Sequence, residues 1–255
     1  MQWSRRPGCL HVTMTRTDAP NRIDERLLRE LGSVLDMSER DPECRLVVLR
    51  GTPEAFCLGM DFVEVMRKLS AAESDERAEA ASLFMRTLRR ISEHSRVVAC
   101  VVEGRALGGG VGLVAACDIA VAVERAEFGL PELLWGLLPA NILPFLIRRM
   151  GYQKAYRFAL STQNMSASQA FEAGLLDALS HEPDEYLRRL LLRVARVEPE
   201  TISDLKRYMG RMWSVGDSVE RLAVGEFTRL LGLTRVQDKL KALALTTLTG
   251  AWSKP

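Results

Sequence analysis

Apolar residues follow one another without interruption at positions 97–102, where the sequence is Val-Val-Ala-Cys-Val-Val. Such a run has no polar face, so it predicts a strand that is buried on both sides of a sheet. After Gly104, three glycines at 108–110 lead into the apolar segment Val111–Cys117. This order predicts a glycine loop and then a helix whose first backbone N–H groups could face an anionic oxygen. A glycine turn that only lets a helix pack closely on a strand fits these glycines equally well.

The apolar patterns nearer the start of the chain predict a sheet covered by helices. Weak alternation at His11–Thr15 indicates an edge strand, and the run Arg45–Gly51 indicates a further strand. Between them, apolar residues recur at helical spacing from Ile23 to Leu35, which predicts an amphipathic helix. The same spacing returns from Leu83 to His94 and predicts a second one.

Three short helices are predicted after the central stretch. Two of them are at Ile142–Met150 and Tyr152–Leu160. Ser166 and Gln169 have the spacing of a capping box ahead of the third, and Gly174 is well placed to end it.

The chain from residue 175 onward changes character. A strand is predicted at Leu175–Leu179, and from Pro183 the only pattern is helical, with Asp217 and Glu220 at the spacing of a helix cap. The segment Phe227–Leu248 carries leucines around more than one helix face, more than a single stripe facing the core requires. We therefore expect these helices to pack on another subunit.

Four motifs follow one another in the first part of the chain. They are AFCLGMD at Ala55–Asp61, GRALGGG at Gly104–Gly110, CDIAVA at Cys117–Ala122 and EFGLPELLWGLLP at Glu127–Pro139. In this order they resemble the crotonase (enoyl-CoA hydratase/isomerase) superfamily, over roughly residues 8–180. The resemblance implies an α/β fold with a spiral of ββα turns as a core domain at 1–182, and a C-terminal helical region at 183–255 that forms trimers.

Longer stretches narrow the resemblance to one branch. FCLGMDF, GLVAACDIAVA and LPELLWGLLPA, followed by LPFLIRRMGYQKAY, look like the dehydratases of polyketide β-branching. That branch implies dehydration of a 3-hydroxy-3-methylglutaryl group on an acyl carrier protein to the 3-methylglutaconyl product. It implies no cofactor, because the phosphopantetheine of the acyl carrier protein or of CoA carries the substrate. A homotrimer or a dimer of trimers is implied as well.

The resemblance also assigns residues to a site. The backbone N–H groups of Met60 and Gly109 would hold the thioester oxygen as negative charge builds on it, and Glu132 would be the acid–base group. The residues implied to bind substrate around them are Leu58, Gly59, Asp61, Gly108, Gly110, Trp135 and Asn141.

Glu132 lies in an apolar neighbourhood between Leu130 and Trp135, which predicts a carboxyl pKa raised toward neutrality. A glutamate directly after a proline is also typical of the first turn of a helix. Hydratases of fatty-acid breakdown carry a second glutamate shortly after the glycine triplet, where this chain has Gly112. One carboxyl would then take the α-proton and return it to the departing hydroxyl, although an isomerase could use the same arrangement.

Several other polar residues have both a structural and a functional interpretation. For Asp118, the sequence favours a structural role as an acceptor for backbone N–H groups at the start of a strand. For Asp61, it favours a role as the cap of a helix that begins at Phe62. The Asn141 amide could meet the β-hydroxyl or a distal carboxylate, or cap a helix. Candidates to hold that carboxylate are Arg86, Arg89 and Arg90. Candidates to contact the acidic helix of a carrier protein are Arg148, Arg149, Lys239 and Lys241.

Composition argues against several other classes of protein. The 35 basic and 33 acidic residues give a net charge of +2, which predicts no nucleic-acid or membrane partner. No apolar run reaches the roughly 20 residues of a membrane span, and the first residues lack the apolar core of a secretory signal, so a cytoplasmic protein is expected. The five cysteines and three histidines have no metal-ligand spacing, so no metal is predicted.

Other readings of the same residues stay open. The site could hydrate or isomerise an enoyl-CoA, or decarboxylate the glutaconyl group of the same pathways. Val63 stands where relatives that use CoA often have a lysine, so either carrier is admissible. The missing second glutamate also allows a catalytically idle subunit that only binds.

Overall fold

The structure, a computed structural model, describes residues 1–15, 21–61, 74–213 and 215–248. Within these residues, ten strands form two sheets. The larger sheet contains β1 (Gln2–Arg6), β2 (Cys9–Thr13), β3 (Leu46–Arg50), β5 (Val97–Val102), β7 (Ile119–Ala122) and β10 (Ala178–Leu179), hydrogen-bonded in that order. The smaller sheet contains β4 (Ala55–Cys57), β6 (Arg105–Leu107), β8 (Glu127–Gly129) and β9 (Met165–Ser166), also in that order.

Helices surround the two sheets. In chain order they are α1 (Glu25–Arg40), α2 (Ser74–Glu93), α3 (Gly109–Ala116), α4 (Leu143–Met150), α5 (Tyr152–Ser161), α6 (Ala167–Ala173), α7 (Pro183–Val194), α8 (Pro199–Met212), α9 (Asp217–Leu231) and α10 (Thr234–Leu248). A short 3₁₀ helix occupies Glu132–Trp135.

From β3 to β8, consecutive strands alternate between the two sheets. β3, β5 and β7 lie parallel in the larger sheet, and β4, β6 and β8, each of which directly follows one of them, lie parallel in the smaller one. Each turn of the chain thus adds one strand to each sheet, and β5, β6 and α3 form one complete ββα turn. This is the predicted spiral.

The centre of the larger sheet is buried on both faces, as the apolar run at 97–102 predicts. Val98–Val102 are fully buried, and so are the first four residues of β3. The prediction of an edge strand at His11–Thr15 was wrong. The strand is Cys9–Thr13, and β1 pairs antiparallel on its outer side. Every residue of β1 is exposed, so no apolar pattern marks it.

Local signals in the second half of the chain have mixed outcomes. The capping box of Ser166 and Gln169 is confirmed, and Gly174 ends α6 in the left-handed conformation. The cap predicted from Asp217 and Glu220 was wrong. Gly216 is the N-cap residue of α9, and both carboxylates bind Arg89 of α2 instead, at 2.8 and 2.9 Å.

Asp118 has the structural role that the sequence favours. Its Oδ2 accepts a 2.7 Å hydrogen bond from the backbone N–H of Val98 in β5. The same oxygen forms an ion pair with Lys206 of α8, whose Nζ also donates to the carbonyl of Arg96. This carboxylate therefore ties a central strand to a C-terminal helix.

Helix α3 is anchored at its C-terminal end by two arginines of α4. Arg148 donates to the carbonyls of Ala115 and Ala116, and Arg149 donates to that of Cys117 at 2.6 Å. Cations at this end satisfy carbonyls that the helix leaves unpaired and stabilise its dipole.

The leucine-rich segment at 227–248 folds back on its own chain. Phe227, Leu230, Leu231, Val236 and Leu240 are buried together with Ala81 and Leu137, and Met60 and Trp135 pack against this cluster. For Leu230, Leu231 and Leu240, the expectation that another subunit covers them was wrong, because contacts within one chain bury these three side chains. The side chains of Leu245 and Leu248 lie outside the described residues.

We predict that Gly110→Ala destabilises the fold while Gly225→Ala does not. A methyl group at Gly110 of α3 would lie 2.1 Å from the carbonyl oxygen of Cys57, a backbone atom. We expect a loss of at least about 1–3 kcal/mol. At Gly225 of α9 an added methyl meets nothing within 4 Å, so alanine there should stabilise by about 0.5–1 kcal/mol. Chemical denaturation of both variants measures the difference, and equal stabilities would contradict the packing of α3 on β4.

Candidate active site

Two loops bring a pair of backbone N–H groups to one place. The chain after β4 forms a parallel bridge between Met60 and Ile23, in which Ile23 donates to Gly59 and accepts from Asp61. In this pattern the N–H of Met60 faces away from Ile23. Gly109 is the first residue of α3, where an N–H has no partner in the helix. Within the described part of the chain, neither N–H donates to another residue.

Close backbone contact fixes these loops against each other. Gly59 has φ +77°, and a Cβ there would lie 2.8 Å from the carbonyl oxygen of Leu107 and 3.3 Å from the nitrogen of Gly109. Gly108 has φ +52°, and a Cβ there would lie 2.9 Å from Oε1 of Glu132. Both positions therefore require glycine, for conformation and for space.

The Glu132 carboxyl is enclosed by elements that are distant in sequence. The residue begins the 3₁₀ helix, so the first-turn interpretation is also correct, yet it is only 7% exposed. Loss of solvent by burial raises the pKa of this carboxyl from 4.5 to about 7. Its Oε2 has no hydrogen-bond partner among the described residues. A carboxyl with these properties can both accept and donate a proton near neutral pH.

Side chains from α2 and from the start of α4 pack closely against Gly112, where hydratases of fatty-acid breakdown carry their second glutamate. A Cβ at this position would lie 3.2 Å from Ile142, 3.4 Å from Phe84 and 3.5 Å from Leu88, all side-chain atoms. Because these contacts already fill the volume, a longer side chain could not extend from this point without repacking. Glu132 is therefore the one carboxyl group among the described residues that line the site.

Asn141 lies in the same pocket and is not a helix cap. Its Nδ2 donates to the backbone carbonyl of Ala81 in α2 at 3.1 Å. Ile142 is the N-cap residue of α4 and makes no side-chain cap. The Asn141 Oδ1 is buried and has no partner among the described residues.

A mostly apolar pocket of about 50 Å³ joins these groups, which is room for a few water molecules. Of the residues that the resemblance assigns to the site, it is lined by Leu58, Gly59, Met60, Gly108, Gly109, Glu132, Trp135 and Asn141. Gly110 and Asp61 are not among its described lining residues. Gly110 packs on Cys57 instead, and the helix that Asp61 is predicted to cap lies outside the described residues.

The sequence did not indicate several of the lining residues. The lining also includes Ile23, Phe84, Pro131, Leu137, Leu138, Pro139, Ala140, Ile142 and Phe227. Pro131, Leu137, Leu138 and Pro139 share the motif of Glu132, and Ala140 and Ile142 follow that motif. Phe84 and Phe227 come from α2 and α9, and their positions in apolar helix patterns do not distinguish them from core residues.

The arginines predicted to hold a distal carboxylate do not line the pocket. Arg89 binds Asp217 and Glu220, Arg90 binds Asp36, and Arg86 binds Glu79 at 2.5 Å. Among the described lining residues, none carries a positive charge.

The four cations predicted to contact a carrier protein differ in their surroundings. Arg148 and Arg149 bind the end of α3, so they are not free surface cations. Lys239 and Lys241 are exposed on α10, where Lys239 donates to the carbonyl of Leu134 at 3.3 Å. Only the two lysines therefore remain candidates for contact with a carrier.

The described residues give two further findings on ligands and membranes. Among them, no group of three or more His, Cys, Asp and Glu side chains could hold a metal ion, and all five cysteines are buried and free. No helix within the described ranges has both the length and the apolar character that crossing a membrane requires.

Comparison with known proteins places the chain in a family. The enoyl-CoA hydratase/isomerase family model matches residues 5–223. The bacillaene synthase dehydratase of Bacillus subtilis is 38% identical over 79% of this chain and 77% of its own. The 2,3-dehydroadipyl-CoA hydratase of Escherichia coli is 32% identical over 80% of this chain and 79% of its own.

A solved structure agrees with these sequence relatives. A polyketide biosynthesis enoyl-CoA hydratase from Bacillus subtilis superposes with a TM-score of 0.87 at 32% identity, covering 95% of this chain and 96% of that one. The chain therefore belongs to the crotonase (enoyl-CoA hydratase/isomerase) superfamily and is a lyase of the hydratase and dehydratase type.

Proposed function

We propose that this enzyme removes water from a 3-hydroxyacyl thioester by syn elimination. The substrate proposed is 3-hydroxy-3-methylglutaryl-acyl carrier protein, and the product is 3-methylglutaconyl-acyl carrier protein, as in polyketide β-branching. The observation that carries the proposal is a buried carboxyl, Glu132, next to two backbone N–H groups that have no partner in the described part of the chain. Similarity to the bacillaene synthase dehydratase supports the polyketide context.

The two N–H groups would make the α-proton removable. The thioester oxygen accepts hydrogen bonds from the N–H groups of Met60 and Gly109, and these bonds strengthen as the oxygen becomes an enolate. Because Gly109 begins α3, the positive end of the helix dipole adds to this stabilisation. Such donors act best in a pocket that excludes water, and the lining here is mostly apolar.

Glu132 would then serve as base and as acid. Its carboxylate takes the α-proton, and the C–H electrons form the enolate. As the double bond forms between the α- and β-carbons, the C–O bond breaks and its electron pair stays on the oxygen. Glu132 returns the proton to that oxygen, and water leaves. A pKa of about 7 suits both transfers, because the two forms of the carboxyl are then nearly equal in free energy at neutral pH.

The distal carboxylate of the proposed substrate has no cationic partner among the described lining residues. We propose that it stays at the pocket mouth, in water, while the reacting carbons lie inside. Such a site would accept the same skeleton without the carboxylate.

The most direct test is the mass of the product. Incubation with 3-hydroxy-3-methylglutaryl-acyl carrier protein should give the loss of one water. A parallel reaction with 3-hydroxy-3-methylbutyryl-acyl carrier protein should show the same loss, since only the carboxylate differs. Loss of carbon dioxide, gain of water on an enoyl substrate alone, or no change in mass with any of these acyl groups would each contradict the proposal.

We predict that Glu132→Gln lowers the rate of water loss by about 10²–10⁴-fold, because one group carries both proton transfers. For the parent enzyme, kcat/KM should rise with pH through an apparent pKa of about 7, since the base must be ionised. The matched control is Glu127→Gln, which changes an exposed glutamate of β8 and should leave the rate unaltered. An unchanged rate for Glu132→Gln would exclude this carboxyl as the base.

Glu132 should also impose a pH dependence on stability. Its folded-state pKa of about 7 lies above its ordinary value of 4.5, so between these values the folded protein holds a proton that the unfolded chain has lost. The contribution of this group to stability therefore falls as pH rises from about 4.5 to about 7, by about 3 kcal/mol.

Glu132→Gln should remove that fall. Urea denaturation at pH 5 and pH 8 should show the variant gaining about 3 kcal/mol over the parent between the two conditions. The Glu127→Gln variant should show no such gain. A stability difference between Glu132→Gln and the parent that is the same at both pH values would contradict the burial of an ionisable group at this position.

We also propose that copies of the chain associate through α8. Leu205, Tyr208, Met209 and Met212 lie at helical spacing on one face of this helix, and each is more than half exposed. A single protein rarely leaves such a patch in water. A second copy of the chain is the proposed partner, in the trimer or dimer of trimers that the family resemblance implies.

Light scattering tests this assembly. The parent should have three or six times the monomer mass of 28.5 kDa, and Tyr208→Asp should shift it toward the monomer. Leu222→Asp is the control, because Leu222 is equally exposed but belongs to α9. A monomeric parent at micromolar concentration would refute the proposal.

A further inference from the structure

Two buried oxygen atoms at the pocket have no hydrogen-bond donor in the described part of the chain. They are Oε2 of Glu132 and Oδ1 of Asn141, and both residues line the pocket. Nearly all buried polar atoms in proteins are paired, so each of these oxygens calls for a donor from beyond the described residues, which a bound ligand can supply. The unpaired Oε2 of Glu132 is already accounted for by the proposed proton transfers. The Asn141 oxygen is not.

The orientation of the Asn141 amide follows from its one hydrogen bond. Its partner at 3.1 Å is the backbone carbonyl of Ala81, which can only accept. The nitrogen of the amide must therefore face Ala81, and the oxygen is the end left for a ligand. Because Asn141 is 4% exposed and held by the backbone of α2, the amide cannot easily turn over.

An oxygen in this position selects the chemistry of its ligand. It attracts a hydroxyl, which can donate, and it disfavours a carboxylate, which can only accept. A carboxylate here would also lie close to a second acceptor, the Glu132 carboxyl, in a pocket without described cations. A hydroxyl suits both neighbours, because it can donate to Asn141 while its lone pair receives the proton from Glu132.

We propose that Oδ1 of Asn141 accepts a hydrogen bond from the β-hydroxyl of the substrate and so positions the leaving group. The inference rests on the proposed dehydration and names the residue that recognises the hydroxyl. During the reaction, Glu132 adds a proton to the hydroxyl oxygen and the C–O bond breaks with its electron pair on that oxygen. The remaining O–H becomes a stronger donor as the oxygen gains this proton, so the bond to Asn141 strengthens on the way to water.

This arrangement gives the pocket a preference for hydroxylated acyl groups. An acyl chain that lacks the β-hydroxyl would leave the Asn141 oxygen buried and unpaired, which costs affinity. The site should therefore bind a 3-hydroxyacyl thioester more tightly than the same thioester with hydrogen in place of the hydroxyl.

Binding to the Glu132→Gln variant, which turns the ligand over far more slowly than the parent enzyme, tests the preference directly. The two probes are 3-hydroxy-3-methylbutyryl-CoA and 3-methylbutyryl-CoA, compared by isothermal titration calorimetry. We expect the hydroxylated probe to bind about 10-fold more tightly. A further Asn141→Ala substitution should reduce the ratio to within about 2-fold, whereas Asn141→Asp should keep the preference only while its carboxyl is protonated, because that form donates to the Ala81 carbonyl and still offers an acceptor oxygen.

Several results would overturn the proposal. The first is that both probes bind Glu132→Gln with equal affinity, or that neither binds. The second is that the ratio of the two affinities stays the same after Asn141→Ala. A uniform loss of affinity for both probes would show a structural role only, through the bond to Ala81.

The outcome is separable from that of the dehydration assay, since binding requires no turnover. Water loss from the carrier-bound substrate together with equal probe affinities would remove the role of Asn141 and leave the dehydration intact. A hydroxyl preference without water loss would support the hydroxyl site and refute the dehydration.

Discussion

The active site depends on the approach of helix α3 to strand β4. Gly110 lies so close to the carbonyl of Cys57 that no side chain fits between them. The chain leaving β4 carries Met60, and the chain entering α3 carries Gly109, so this single contact sets the separation of the two N–H donors. The opposite end of the helix is held by Arg148 and Arg149. Donors fixed in this way need no reorganisation when charge develops on a substrate oxygen.

Burial of Glu132 links the chemistry of the enzyme to its stability. The carboxyl loses its water because the glycine loop, the apolar residues after it and the folded-back C-terminal helices enclose it. The same loss of solvent raises its pKa and weakens the folded state at neutral pH. A fold that removed this cost by admitting water would lower the pKa of Glu132 and so weaken the base of the proposed reaction.

Sequence patterns were sufficient where neighbours in the chain decide the structure. The apolar run of β5 and the capping box of Ser166 are of this kind, and so is the first-turn position of Glu132. Sequence patterns failed where a distant residue binds a side chain that also has a local role available. Asp217, for example, pairs with Arg89 of α2 and does not cap its own helix. The strand β1 has no apolar residue facing a core, so its pairing with β2 leaves no trace in the pattern.

The candidate site was predicted in part for the same reason. Motif resemblance located Glu132 and both loops, because these are contiguous stretches. The orientation of Asn141 depends on Ala81, which is 60 positions away in the chain. The burial of Glu132 likewise depends in part on distant residues, because Phe84 and Phe227 line the same pocket as its neighbours Pro131 and Trp135.

The packing around Gly112 limits the routes by which this enzyme could have changed its reaction. Where fatty-acid hydratases carry a second glutamate, the space here is occupied by side chains from α2 and from the start of α4. A glutamate at Gly112 would require these side chains to move, because a Cβ there already lies 3.2 Å from Ile142, 3.4 Å from Phe84 and 3.5 Å from Leu88. A second carboxylate would therefore come with repacking of α2 and of the start of α4, so the single carboxyl of the site and the core packing beside it depend on each other.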